Sequence, residues 1–449
     1  MNAFLQALLP FLGIIVVLII VHEIGHLVAA KLAGVTVPEF GLGFPPRIWG
    51  FKRGETEYTI NAIPLGGFVR MAGEEDPSDP RSLAAKPRPI RLLVLSAGSF
   101  MNLLMAVLLF ALALMIPREV SVGRAVIMEV VRGGPAEAAG LQSGDVIYEI
   151  NGRDIQNVQE AGYSIRLNLG EDIDITVKRE REFETLRTYA RWAPSDIVHV
   201  VDPGEDVQAV AERLGFSTSS VRQAADIKST LEPGRDLTIG DGPDAITYTP
   251  EEGETVTSVA RRLGVSDEVV RIAAGLPDQN KLEVGQELRF LQGPTGIVIT
   301  PEYPFTETQA LPPWEALPQA LQKSYESLIL VRNEVISWFR GAGRPDVAGP
   351  VGIAQATGEV IEEAGWKSLT DFAALISVNL AILNILPLPM LDGGRIVFVL
   401  LEIARGGRRV APRKEALVHL VGLVALLTLA VVIGYFDVVR IFSGESILR

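Results

Sequence analysis

Residues His22-Glu23-Ile24-Gly25-His26 lie inside an apolar run that extends from about Phe4 to Leu32. A helix rises ~1.5 Å per residue, so roughly 20 apolar residues cross a bilayer, and this run is long enough to do so. Residues four apart share a helical face, which sets His22 and His26 side by side with Glu23 adjacent. Two imidazoles and a carboxylate are costly against lipid, so they are expected to face a protein interior. H-E-x-x-H on a helix suits a hydrolytic zinc site: two imidazole ligands, and a carboxylate that takes a proton from the attacking water. The competing reading is a chance motif whose histidines are hydrogen-bonded bundle residues, and the apolar setting weighs against it.

At 449 residues the chain is too long for one ordinary domain, and two to four units are expected. The mean hydropathy of +0.28 fits several membrane spans joined to a soluble part. A net charge of -13 argues against nucleic acid as a partner. With no cysteine, disulfides and thiolate ligands are excluded. His199 and His419 are the two histidines outside the motif, so a third metal ligand is one of these or a carboxylate. The first run has no basic leader and carries the motif, so it is expected to be retained rather than cleaved.

Beyond Gly34 the chain is rich in Gly and Pro up to about Pro89. Thr56 to Ile63 has strand composition, and Pro64-Leu65-Gly66-Gly67 is expected to end that strand. A second apolar run covers about Ile90 to Ile116 and contains Ser96, Gly98, Ser99 and Asn102, small or polar residues that let helices approach closely. A soluble portion then runs from Pro117 to about Thr370. A third apolar stretch, Phe372 to Ala404, is broken by Pro387, Pro389, Gly393 and Gly394, and a fourth covers about Ala416 to Val439. Lys and Arg concentrate between the first two spans (Lys31, Arg47, Lys52, Arg53, Arg70, Arg81, Lys86, Arg88, Arg91) and between the last two (Arg405, Arg408, Arg409, Arg413, Lys414). Both loops are therefore expected on the cytoplasmic side, with the termini and the acidic insert outside.

The broken third stretch reads Asn384-Ile385-Leu386-Pro387-Leu388-Pro389-Met390-Leu391-Asp392-Gly393-Gly394. Irregular backbone at membrane depth is tolerated where it is buried in protein or lines a wet cavity. A carboxylate there needs a positive partner, which a metal on His22 and His26 would supply. Asp392 leads as third ligand, and His419 in the fourth span competes with it.

H-E-x-x-H in the first span with N-x-x-P-x-P-x-x-D-G-G in the third resembles the site-2 protease family of intramembrane zinc metalloproteases. Phe40-Gly41-Leu42-Gly43-Phe44-Pro45-Pro46 and Ile63-Pro64-Leu65-Gly66-Gly67-Phe68-Val69 resemble that family's membrane-associated β-loop. Gly98 with Asn102 resembles its second span, and Gly349-Pro350-Val351-Gly352-Ile353 the segment before its third. The resemblance implies that His22, His26 and Asp392 bind Zn2+, that Glu23 activates water, and that Asn384 helps hold the substrate backbone. A peptide bond in a transmembrane helix is shielded by its own hydrogen bonds, so the substrate must unwind locally. Thr56 to Ile63, if it is an exposed strand, is expected to pair with it or else to plug the bundle.

Gly41-Leu42-Gly43-Phe44 is also known from PDZ carboxylate loops, but its place in the β-loop makes it a decoy. The stretch Gly134 to Ile147, followed by Ile150-Asn151-Gly152, resembles a PDZ domain, with Ile173 to Val177 continuing as a strand; the pattern resumes at Gly296-Ile297-Val298-Ile299. Between them lies an internal repeat. Gly204-Glu205-Asp206-Val207 and Val210 to Ser217 recur as Gly253-Glu254-Thr255-Val256 and Val259 to Ser266, while Leu231 to Leu237 recurs as Leu282 to Leu288. Each unit reads strand, helix, helix, strand and resembles a LysM module. Asp226 and Gly275 stand where such modules usually carry Asn. Both units are acidic, at Asp202, Glu205, Asp206, Glu212, Glu251, Glu252 and Glu254. The insert is expected at an excisable loop of the PDZ-like domain. Trp314 to Phe339 reads as an amphipathic helix with Leu317, Leu321, Leu328, Val335 and Trp338 mostly on one face.

The expected fold is a polytopic α-helical membrane protein with four transmembrane spans and a membrane-associated β-loop, an extracytoplasmic PDZ-like α/β domain and inserted LysM-like α+β modules. The expected division is 1–116 for the first two spans with the β-loop, 117–196 plus 293–306 for the PDZ-like domain, 197–243 and 244–292 for the two modules, 307–345 for an amphipathic linker helix, and 346–449 for the last two spans. The implied function is zinc-dependent endoproteolysis of transmembrane segments in the plasma membrane, with anti-sigma factors or signal-peptide remnants as substrate classes. Its partners are then a transmembrane protein substrate, the lipid bilayer and, through the modules, peptidoglycan. The alternative is an inactive membrane adaptor that binds peptides or cell-wall glycans; an intact Glu23 favours the enzyme.

Overall fold

The computed structural model describes residues 3–443 apart from 75–77, 193–196, 215, 217, 226–230, 232–233, 240–245, 251–255, 264, 266, 277–279, 291–292, 304 and 343–347. Asp226 and the acidic residues Glu251, Glu252 and Glu254 therefore lie outside the described residues. The chain divides into two compact units, one of residues 1–120, 308–332 and 345–449, the other of 121–307 and 333–344.

The first unit contains four helices long and apolar enough to cross a membrane. The first span is the helix Ala3–Leu32 and the second is Arg88–Met115. The third apolar stretch is split as its prolines require. The helix Leu369–Ile385 stops before Pro387, an irregular loop follows, and a helix of 13 residues, Asp392–Ala404, starts at the carboxylate. At about 20 Å that last helix is too short to cross alone. The fourth span is Pro412–Ser443. First and second spans touch where a Cβ on Gly25 would lie 2.5 Å from the carbonyl of Ala97, so glycine is required there. The basic loop after Ala404 is tied down by the buried Glu402, which pairs with Arg91 at 2.6 Å, Arg88 at 3.2 Å and Arg409 at 3.3 Å.

The β-loop differs from the expectation in one respect. Strand Thr56–Arg70 does not end at Pro64 but runs on past Gly66, whose φ of +104° bends it. Its partner is Glu39–Arg53, and the two fold into four lanes. Residues 39–42 pair with 57–60 on one side and with 67–70 on the other, while 47–53 pair with 56–61. Thr56 to Asn61 is thus an inner lane with both edges occupied, not an exposed edge. The two outer lanes, each with an open edge, are residues 67–70 and 47–53.

The face that the amphipathic helix Pro313–Phe339 buries is lined by small residues. Leu317 and Leu321 are exposed, whereas Ala316, Ala320, Ser324 and Ser327 are buried. Ala320 packs with Ala106, Phe110, Ala374 and Val378 of the second and third spans. Small residues win because helices in a bundle gain contact by close approach rather than by bulk. Near its start the helix before the third span, Pro350–Ala364, is fixed by Asp437 of the fourth span. The fully buried Asp437 Oδ2 accepts from the backbone N–H of Gly349 and Gly352, and Arg440 pairs with its other oxygen at 2.8 Å. Asp437 is absent from the sequence expectations, although a carboxylate inside the fourth apolar stretch is the signal that marks it.

In the second unit an antiparallel sheet orders Ile297–Pro301, Ala125–Val130, Val146–Ile150, Asp172–Arg179 and Glu182–Tyr189, with Arg153–Asp154 paired on the middle strand. Its core of Ile127, Ile147, Ile150, Ile173, Ile175 and Val177 is covered by the helix Val158–Leu167 through Ala161 and Ile165. Asn157 caps that helix by accepting from Glu160 N at 2.8 Å, a contact worth about 1 kcal/mol. The turn at Gly144-Asp145 is set by Arg179, whose Nη2 and Nε donate to the buried Asp145 carboxylate at 2.7 and 2.8 Å.

The repeat folds across the boundary at 243/244. Strand Ile197–Val200 pairs with Glu287–Phe290, and Leu237–Ile239 pairs with Ile246–Tyr248. One core joins Val207, Val210 and Val221 to Leu282, Leu288 and Phe290; the other joins Val256, Val259 and Val270 to Leu231, Leu237 and Ile239. One module is nested within the other because both repeats carry the same leucines in the closing segment, and either strand fits either helix pair. Val131, beyond the end of the sheet strand Ala125–Val130, is buried in the outer module's core, so this module is fused to the sheet domain rather than hung from a loop.

Candidate metal centre

His22, Glu23 and His26 lie on the first span, and its packing on the second sets the imidazoles. A Cβ on Gly98 would come 2.4 Å from His26 Nε2 and 2.6 Å from His22 Nε2, so the second span leaves a cradle that any side chain would fill. His26 Nδ1 lies 2.9 Å from the carbonyl oxygen of Val94 and donates to it. In the neutral ring that bond leaves Nε2 as a lone-pair donor.

Asp392 arrives from the broken third stretch, at the first turn of the helix Asp392–Ala404. The two glycines after it are needed for the approach. A Cβ on Gly393 would lie 2.0 Å from the Leu386 carbonyl, and one on Gly394 would lie 2.4 Å from that of Leu388. The result is a triangle: Asp392 Oδ2 is 3.1 Å from both His22 Nε2 and His26 Nε2, and the two Nε2 atoms are 3.2 Å apart. Ligands about 2.0–2.1 Å from a tetrahedral zinc ion stand about 3.3 Å from one another, so the donor set fits this metal in spacing and type. Three acceptors facing one point repel unless a cation lies between them. Among the described residues this is the one group of three or more His, Cys, Asp or Glu side chains close enough to share an ion.

Among the described residues no hydrogen bond or salt bridge holds the Glu23 carboxylate. The backbone of Gly67 passes beside it: a Cβ there would lie 3.0 Å from Glu23 Cγ. Of the two outer lanes of the β-loop, the one at residues 67–70 thus runs next to Glu23. Asn384 Nδ2 lies 3.5 Å from His22 Nδ1, which makes it a neighbour of the imidazole's outer nitrogen. His419 is not among the converging donors; its Nδ1 accepts from the backbone N–H of Met390 at 2.9 Å.

The sequence profile of peptidase family M50 matches residues 10–429. The chain belongs to peptidase family M50. Relatives extend along nearly the whole chain. The zinc metalloprotease RasP of Oceanobacillus iheyensis is 25% identical over 509 residues, covering 95% of this chain and 97% of its own. A Clostridium perfringens protein whose name marks it as a candidate zinc metalloprotease is 29% identical over 427 residues, covering 94% and 95%. A similarly named Nostoc protein is 30% identical over 443 residues, covering 95% and 94%. This M50 protein is accordingly a multi-pass membrane protein and a site-2-type zinc metalloendopeptidase, with Zn2+ as its cofactor.

Proposed function

We propose that this M50 peptidase cleaves transmembrane segments of other membrane proteins, with His22, His26 and Asp392 as zinc ligands and Glu23 as general base. The observation that carries the reading is the convergence of three donor atoms within 3.2 Å, two of them on a helix apolar enough to cross a bilayer. Zinc bound there would supply the Lewis acid that polarises the scissile carbonyl and lowers the pKa of water to about 7. Glu23 takes the proton from the attacking water and passes it to the leaving amine. Asn384 orients His22, and its amide is within reach of an unwound substrate backbone. The unwound segment pairs with the outer lane at residues 67–70, the one that passes Glu23, and is held extended there.

The basic loops between the first two spans and between the last two support an orientation with residues 117–345 outside the cytoplasm. There the sheet of 121–191 with 297–301 acts as a PDZ-like domain. Its strand Ile297–Pro301 has one free edge among the described residues, to which an extended peptide adds. The nested helix pairs act as LysM-like modules facing the cell wall, with peptidoglycan as their ligand; calorimetry with chito-oligomers that yields no heat removes that assignment. Anti-sigma factors and signal-peptide remnants are the proposed substrate classes, in regulated intramembrane proteolysis.

The test is a Glu23→Gln variant used as a trap. It should bind zinc, hold its substrate and cut about 10²–10⁴-fold more slowly. Recovery of the trapped protein, and sequencing of the products made by wild type, identify the substrate and the bond. Products cut in soluble segments would overturn intramembrane cleavage.

A further inference from the structure

The fourth span contributes no donor to the metal centre, yet it grips the loop that delivers Asp392. Two residues before the carboxylate, Met390 has φ +81°, a left-handed conformation that a residue with a side chain adopts only when its surroundings impose it. What imposes it here is His419, whose Nδ1 accepts the Met390 N–H at 2.9 Å. The ring is held on a second side by Phe398 of the Asp392–Ala404 helix, with centroids 5.4 Å apart. One turn further along the span, Gly422 lies against Pro389, where a Cβ would come 2.2 Å from Pro389 Cβ and 3.0 Å from its carbonyl oxygen.

We propose that His419 and Gly422 of the fourth span are positioning residues for the Asp392 carboxylate. They fix the loop Leu386–Leu391 in the one backbone path that brings Oδ2 to 3.1 Å from both imidazoles. An acceptor on Nδ1 means that Nε2 carries the ring's proton. Nε2 is buried with no partner among the described residues, and His419 borders a cavity of about 20 Å³ lined by Glu74, Arg91, Arg395 and Glu415. That volume accommodates one water molecule, the acceptor Nε2–H needs. The histidine thus joins a polar cavity on one side to the ligand loop on the other. It acts through Met390 and Pro389, not on the metal.

The inference rests on Asp392 as a ligand, and the experiment keeps the two apart. Zinc affinity of the full-length protein is measured by chelator competition, alongside kcat and KM on a transmembrane substrate, for Asp392→Ala, His419→Leu, His419→Asn and Gly422→Ala. Loosening a group that orients a ligand typically costs 10–100-fold in affinity, so His419→Leu should weaken zinc by about that factor and lower kcat with KM little changed. Asparagine places its Oδ1 where Nδ1 stood, so His419→Asn should restore both values. Gly422→Ala should reproduce the leucine phenotype from the other side of the loop. If Asp392→Ala keeps zinc, the ligand assignment itself fails. If Asp392→Ala loses zinc while folded His419→Leu and Gly422→Ala hold it as tightly as wild type, the positioning role alone is refuted. Failure of His419→Asn to rescue a folded His419→Leu defect refutes the Nδ1 contact as its cause.

Discussion

Replacing Gly98 with alanine adds one methyl group to the most confined surface of the metal centre. In a helix interior the change is intrinsically favourable by about 1 kcal/mol, because glycine has the more flexible unfolded chain. The added Cβ, however, would stand 2.4 Å from His26 Nε2, 2.5 Å from His22 Cε1 and 2.6 Å from His22 Nε2. Ordinary contact begins at about 3.4 Å, so the atoms must separate by about 1 Å. His26 cannot swing away without breaking its bond to the Val94 carbonyl, and His22 is bounded by Asn384. The spans themselves would have to part, at about 1–3 kcal/mol for overpacking, or the donor triangle must open. A 1 Å misplacement at a reacting centre costs about 10²-fold, so kcat/KM should drop by at least that factor and zinc should bind more weakly. Thermal stability without zinc should change by no more than about 2 kcal/mol, since the two structural effects oppose. Zinc content by metal analysis, kcat/KM and melting of the metal-free protein are the assays. A Gly98→Ala enzyme with wild-type zinc affinity and turnover would refute the cradle.

Further outcomes follow from other contacts. Asp392→Ala should be purified without zinc, whereas His419→Ala should carry zinc until a chelator competes; the reverse metal contents would make the histidine the ligand. Glu205 in the outer module is held down to about 2 by the backbone N–H of Asp202, with Arg213 and His199 assisting. A depressed carboxyl contributes stability above its unfolded value of 4.5, and this is lost as pH falls through about 2. Denaturant melts between these limits, read from a fluorophore on a single cysteine introduced into the module, should therefore show a pH slope that Glu205→Gln flattens. An unaltered slope would assign it to other groups. Single cysteines placed in the insert should react with an impermeant reagent in intact cells and those between Arg405 and Lys414 should not; labelling of that loop would invert the proposed orientation. Replacing 197–292 by a linker should destabilise the sheet domain, because Val131 loses its core; wild-type stability of that variant would mean the two are independent.

Local rules in the sequence determined the parts of this protein that depend on local rules. Helix periodicity puts His22, Glu23 and His26 on one face, apolar length fixes the four spans, and Pro387 with Pro389 must break the third. Their chemistry is legible because ionisable groups are rare where they have no reason to be. What only the tertiary structure decided is which of several equivalent partners each element takes. The strand at Thr56 has the composition of an exposed edge, but pairing on both sides makes it an inner lane and leaves the open edges to residues 67–70 and 47–53. The two repeats carry the same leucines, so their spacing could not say that Leu282 and Leu288 close the first helix pair and Leu231 and Leu237 the second. Leu317 and Leu321 mark one face of an amphipathic helix in the sequence, but that the buried residues are Ala316 and Ala320, where helices approach closely, only the packing shows. The sequence offered both Asp392 and His419 as third donor, and only the loop's path brings one Asp392 oxygen to 3.1 Å from two imidazoles and turns the His419 ring to the Met390 amide. Distances between segments 366 residues apart in the chain are set by packing, and packing is a property of the whole fold.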